Sequence, residues 1–332
     1  MKKVKLYERF GFFALLGFSL LSVCACKNQT APETAEELFS ENPVTINWSD
    51  KSTSAESFAA EVSVYSMNNR KDSYLTKTGG YRLCYKVIDG VSYSRVDLEK
   101  EYSGGVSRAV ISDGHDMVIY NNDSNEVEQR LIVPQEDNNG LDFLTASPVT
   151  GRLNIDAIRS GAKRLSLDLT EDKKAGYGVL SLPSSLFTEQ EGVTRISTKV
   201  SFDLENESLD EVEVVTVDDE GVKITTSVSN VYEEYNGEYI KIGTVTVIDT
   251  ENPNKVTGFD SDYPVFESMD DIPEISEEEY AQLQAEGRVQ DTEGIIFGDP
   301  SDLSNVQTTV ELYSSVDINN VDDSSFRLLL GE

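Results

Sequence analysis

The sequence predicts a mainly β protein whose antiparallel sheet curls or closes. Two observations carry this. Bulky and polar residues alternate through run after run, the period-two signature of strands with one apolar face. Turn residues separate these runs at regular intervals, and Asp89-Gly90 and Asp113-Gly114 each sit between two alternating stretches. Asp-Gly in that setting is the strongest short hairpin signal, because a type I′ turn needs positive φ at both central residues.

Taken in order, the chain opens on an export signal. Lys2, Lys3, Lys5 and Arg9 precede an apolar run from Phe10 to Val23. At about 14 residues that run is too short to span a bilayer, which takes ~20. It ends in Val23-Cys24-Ala25-Cys26, which resembles the lipobox read by the lipoprotein signal peptidase: an aliphatic residue, two small ones, then cysteine. Cys26 fits best as the lipidated residue. Cys24 fits worse, because Val23 would stand where a small residue is expected. Residues 1–25 are therefore assigned to a lipoprotein signal peptide and 26–55 to a polar tether, with a short helix over 32–39. A β domain follows over 56–332.

In that domain the first strand is expected at 58–65, continued by 73–78. Residues 81–88 run into Asp89-Gly90 and return as 91–98. The pattern repeats at 106–112, Asp113-Gly114 and 117–120, and the polar turn 121–125 leads into 126–133. Short apolar clusters at 140–144 and 155–158 are compatible with helices. Strands resume at 165–169, 178–182, 195–204, 209–217 and 222–228; a polar, Tyr-rich turn is expected over 232–239 before a strand at 240–248. From 250 to 307 there are 15 acids against Lys255 and Arg288, which reads as an acidic insertion with one short helix near 276–287. Residues 308–318 alternate again, and Asn319 to Phe326 closes the chain.

The meander at 81–133 carries a resemblance. Arg95-Val96-Asp97, Ile111-Ser112-Asp113-Gly114, Val118-Ile119-Tyr120 and Asn125-Glu126-Val127 resemble, in that order, motifs of the outer-membrane lipoprotein carrier (LolA) and lipoprotein-sorting families. Those families have Arg-Val-Glu, a strand into Ser-Asp-Gly, a Trp-Ile-Tyr-like strand and a turn into Gln/Glu-Val. Val118 stands where the family often has Trp. The closing Asn, acids, Ser and Phe326 are also similar to the family's ending. The resemblance spans roughly 56–330, with 250–307 unmatched. It implies an open, curved antiparallel half-barrel, plugged by a few short helices, that cradles lipid.

Composition limits the function classes. The chain has 60 acids against 28 basic residues, a formal net charge of −32, and cutting before Cys26 takes this to −35. Such a chain binds no nucleic acid through a basic patch. Cys84 is the other mature cysteine, and an acylated Cys26 cannot pair with it, so no internal disulfide is expected. His115, the single histidine, lies beside Asp116 on a hairpin flank; no serine or cysteine motif accompanies it, and a solvated turn histidine is the plainer reading. Asp218-Asp219 and Asp270-Asp271 lack the ligand spacing of an EF-hand loop. No catalytic residue, metal or cofactor is expected.

Two functions follow. The first, implied by the resemblance, is a lipid-anchored envelope protein that holds an acyl chain or another lipoprotein's lipid in a concave cavity. Tyr85, Tyr93, Val118, Tyr120 and Phe202 are its candidate lining, although core filling is the plainer role for any one of them. Family carriers are soluble, so an anchored chain suits local acceptance, sensing or storage. The second is a ligand-free surface lipoprotein that meets partner proteins through acidic surfaces. The outer membrane is the expected home where the cell has one, because Lys27 is not the Asp that retains enteric lipoproteins at the inner membrane.

Overall fold

The computed structural model describes residues 32, 34–49, 55–68, 74–132, 140–187, 192–219, 221–251, 265–266, 296–297 and 305–330. The signal peptide with Cys26 lies outside these residues, as does the expected helix near 276–287.

Period-two alternation becomes a fourteen-stranded sheet. A first meander contains β2 (Ser57–Asn68), β3 (Thr76–Ile88), β4 (Val91–Leu98), β5 (Arg108–Ser112), β6 (Asp116–Asn121) and β7 (Glu126–Ile132). A second contains β8 (Asp168–Asp172), β9 (Tyr177–Leu182), β10 (Val193–Asp203), β11 (Leu209–Asp218), β12 (Lys223–Tyr235) and β13 (Glu238–Glu251). Two-residue strands β14 (Val265–Phe266) and β15 (Ile296–Phe297) pair with each other, apart from the main sheet. The last strand, β16 (Asn305–Ile318), lies between β2 and β13 and joins the two meanders. The path ends at β7 and β8, which do not pair, so the sheet is open. Both edges carry charge that blunts strand addition: Glu126, Glu128 and Arg130 on one, Asp168, Glu171 and Asp172 on the other.

Several expectations need correction. Residues 34–49 are not tether. Thr34 caps α1 (Ala35–Glu41), its side chain accepting from the Glu37 N–H, and β1 (Thr45–Trp48) pairs in parallel with residues 315–318 of β16. Residues 76–78 begin β3 rather than continue the first strand. Asp89 and Gly90 have φ of 51° and 80°, the type I′ geometry. At the second Asp-Gly only Gly114 is left-handed. Asp113 Oδ1 instead accepts from the N–H groups of His115 and Asp116, a longer side-chain-capped turn. The Tyr-rich segment is strand up to Tyr235 and from Glu238. The turn is Asn236-Gly237, with φ of 59° and 84°. Residue 165 ends a helix rather than opening a strand. The strands flanking the insertion reach Glu251 and Asn305, and Thr250 pairs directly with Asn305.

Each face of the sheet has its own cover. One face buries Phe58, Ala60, Val62, Leu83, Val96, Ile240, Ile242, Val316 and Ile318, with Ile46 from β1 and Val149 from a loop. Near β8–β10, α2 (Ile155–Leu165) lays Ile158 and Ala162 on Leu180, Val200 and Phe202. Asn154 caps this helix through the Ala157 N–H at 2.9 Å, and Ser166 ends it in the left-handed conformation. On the opposite face of the first meander, the intervening residues Ala59 and Cys84 pair across β2 and β3. That second face carries α1, through Leu38 on Val310 and Leu312, and the closing segment of the chain.

Candidate ligand-binding face

Strand register decides where the expected lining residues go. Cys84 pairs with Arg95, Arg95 with Ile111, and Ile111 with Val118; one pair along, Asp97 pairs with Ala109 and Ala109 with Tyr120. Val118 and Tyr120 therefore share the second face with Cys84, Arg95 and Ile111, as does Tyr93, two residues before Arg95 on β4. Tyr85 projects the other way. Its ring packs on Phe58 at 6.0 Å between centroids, and its hydroxyl meets Ser92 Oγ at 2.9 Å. Phe202 lies at the far end of the sheet, where its ring fills the space a Cβ on Gly178 would need. Three of the five thus come together, and Tyr85 and Phe202 do not join them.

The shared face has an apolar floor. Cys84, Ala109, Ile111, Val118 and Tyr120 are all buried. Its roof is the end of the chain: a 3₁₀ turn over Asp323–Phe326 and the four-residue helix α3 (Arg327–Leu330). Phe326 is fully buried and packs against Tyr93 with ring centroids 5.7 Å apart, while Leu328, Leu329 and Leu330 are half-buried on the same cluster. Polar ties hold the roof. Lys86 Nζ donates to the Val321 carbonyl at 2.7 Å and pairs with Asp323. Arg95 Nη1 donates to the Ser325 carbonyl at 3.2 Å. Arg95 is itself fixed by Asp97 through Nε to Oδ2 at 2.8 Å and Nη2 to Oδ1 at 2.6 Å, and this hydrogen bonding raises its pKa. Burial pushes the Cys84 thiol up from its ordinary value.

Beside the roof is a cleft of about 370 Å³, bordered by Arg82, Arg95, Asp97, Tyr120, Arg327 and Leu328 among others. That volume falls in the range of small-molecule sites, roughly 300–1,000 Å³. A second cleft of about 360 Å³ lies over Lys86 and residues 319–323.

Sequence reasoning missed a polar cluster on the first face. Glu311 accepts from the Tyr81 hydroxyl at 2.8 Å and from Thr244 Oγ1 at 2.7 Å. Burial and Glu311 hold the Tyr81 phenol well above its ordinary pKa. Burial pulls the Lys241 ammonium down to about 8, against an opposing pull from Glu311. These groups come from three strands far apart in sequence, so no local pattern announces them. His115 Nδ1 lies 3.3 Å from Asp116 Oδ2, with both side chains more than half exposed. Among the described residues no group of three His, Cys, Asp or Glu could hold a metal ion, and no helix is long and apolar enough to cross a membrane. No family model matches the chain, and no curated protein matches it.

Proposed function

We propose that this chain is a lipid-anchored, non-enzymatic protein of the bacterial cell envelope with a LolA-like domain, and that it binds an acyl chain on the β3–β6 face bearing Tyr93, Val118 and Tyr120. The observation that carries the reading is the roof. An apolar floor of five buried side chains is covered not by a second sheet or a long helix but by a short terminal segment, with a cleft alongside. A four-residue helix has little stability of its own. An alkyl chain offers the floor the same contacts as Leu328–Leu330, at roughly 0.8 kcal/mol per buried CH₂. The open sheet agrees with the half-barrel that the motifs at 95–127 imply. The opposite face is packed with its own core, which supports a ligand beneath the chain's end rather than on that side.

The chain from Lys27 onward contains every described residue, so removing 1–26 takes nothing from the described fold. Native mass spectrometry of that form, followed by titration with a fluorescent fatty acid, tests the reading. Co-purified lipid or saturable micromolar binding is expected, weakened by Tyr120→Asp in a variant that still melts cooperatively. Absence of both in folded protein would favour the ligand-free surface lipoprotein instead.

A further inference from the structure

The cleft beside the roof reverses the charge of the molecule. The chain carries 60 acids against 28 basic residues, yet three guanidinium groups, Arg82, Arg95 and Arg327, border this cleft with one carboxylate, Asp97. Asp97 is committed to Arg95 in the two-point pair described above, so those two cancel. Arg82 and Arg327 remain. Arg82 meets Glu61 at 3.5 Å, with both side chains more than half exposed, a weak and exchangeable pair. Among the described residues no carboxylate lies within ion-pair distance of Arg327. Two cations therefore border a cleft that also has Cys84, Ile111, Tyr120 and Leu328 in its lining. Polar groups complete the wall: Asn122, Asn125, Ser324 and Ser325.

Guanidinium groups bind phosphate and carboxylate in a planar, two-point fashion that ammonium groups do not match. At physiological ionic strength the field of the distant acids decays over ~8 Å, so the local charges decide what enters, and there the guanidinium groups act against Asp97 and the exchangeable Glu61. We infer that the cleft is a head-group site: Arg82 and Arg327 hold a phosphate or carboxylate, and the alkyl part of the same molecule runs past Leu328 and Tyr120 toward the floor. This rests on the acyl-chain reading above and adds the chemistry of the ligand's polar end. It also distinguishes an anionic amphiphile from a neutral one.

Isothermal titration of the chain from Lys27, in low-salt buffer, separates the possibilities with three probes: decyl phosphate below its micellar concentration, decanol, and inorganic phosphate. Decyl phosphate is expected to bind at least tenfold more tightly than decanol. That advantage should vanish in the double variant Arg82→Gln, Arg327→Gln, whose thermal melt is checked first, and should shrink in the wild type between 50 and 500 mM salt. If decyl phosphate and decanol bind equally and the double variant changes neither, the acyl-chain reading stands and the head-group site is overturned. If inorganic phosphate binds as tightly as decyl phosphate, the anion site stands and its link to an alkyl chain is overturned. If no probe binds folded protein, both readings fall.

Discussion

Replacing Phe326 with Ala should release the roof. Its side chain is 0 % exposed and packs with Tyr93, Cys84, Ala109 and Ile111. Truncating a buried Phe to Ala typically costs ~3–5 kcal/mol through lost transfer energy and the cavity left behind. The remaining ties of the closing segment are buried Val321, the half-buried Leu328–Leu330, a few hydrogen bonds and the Lys86–Asp323 pair, a local set of contacts at the chain's end, so the loss should appear as local opening rather than global unfolding. Cys84 reports it directly. Its residue is 3 % exposed beneath the segment, and it is the sole cysteine in a chain that begins at Lys27. A loss of about 3 kcal/mol in local stability corresponds to roughly a 100-fold faster thiol labelling, at 1.4 kcal/mol per tenfold. The assay is maleimide labelling under native conditions, with the urea midpoint measured in parallel. A labelling rate within threefold of wild type, in a folded variant, would refute the idea that Phe326 holds the roof down over Cys84.

Three further outcomes are expected. Lys241 should make stability rise with pH: its folded pKa of about 8 lies below its ordinary value of 10.5, so between these the unfolded chain holds a proton the folded chain lacks. About 1–2 kcal/mol should be gained across pH 8–10.5, after discounting for the residue's partial exposure, and Lys241→Met should remove that slope from paired urea melts; identical slopes would contradict it. Replacing 251–304 with a two-residue Asn-Gly turn should leave one cooperative thermal transition, because Thr250 and Asn305 are already cross-strand neighbours and a type I′ turn closes such a pair; a broad or split transition would show that the insertion supports the sheet. Cys26→Ser in the full-length chain should leave it unlabelled by a metabolically supplied, clickable palmitate analogue, and persistent label would move the acylation site elsewhere.

Much of the fold was legible because alternation is local. The β3–β4 hairpin follows from residues 81–98 alone, and Asp89-Gly90 has the backbone its residue types demand. Errors arose where local signals conflicted or where the partner was remote. The polar flanks of Asn236-Gly237 mask a hairpin signal as strong as the first, so local composition suggests a turn where the chain is strand. β1 was missed because four residues gain a strand's hydrogen bonds only by lying along β16, some 270 positions away. The candidate face was half legible. Period two places Val118 and Tyr120 together, but which side they share with a cover depends on Phe326, more than 200 residues later. Tyr85 was misplaced for the same reason, since only strand register tells its face from that of Tyr93.

Methyl-resolved NMR of the chain from Lys27, titrated with a saturating fatty acid, tests the central claim most directly. Shifts are expected at the methyls of Ile111, Val118 and Leu328–Leu330, which share the floor and roof of one face, while Ile240, Ile242 and Val316 on the opposite face stay unmoved. Shifts confined to Ile240, Ile242 and Val316, or none at all in folded protein, would contradict it.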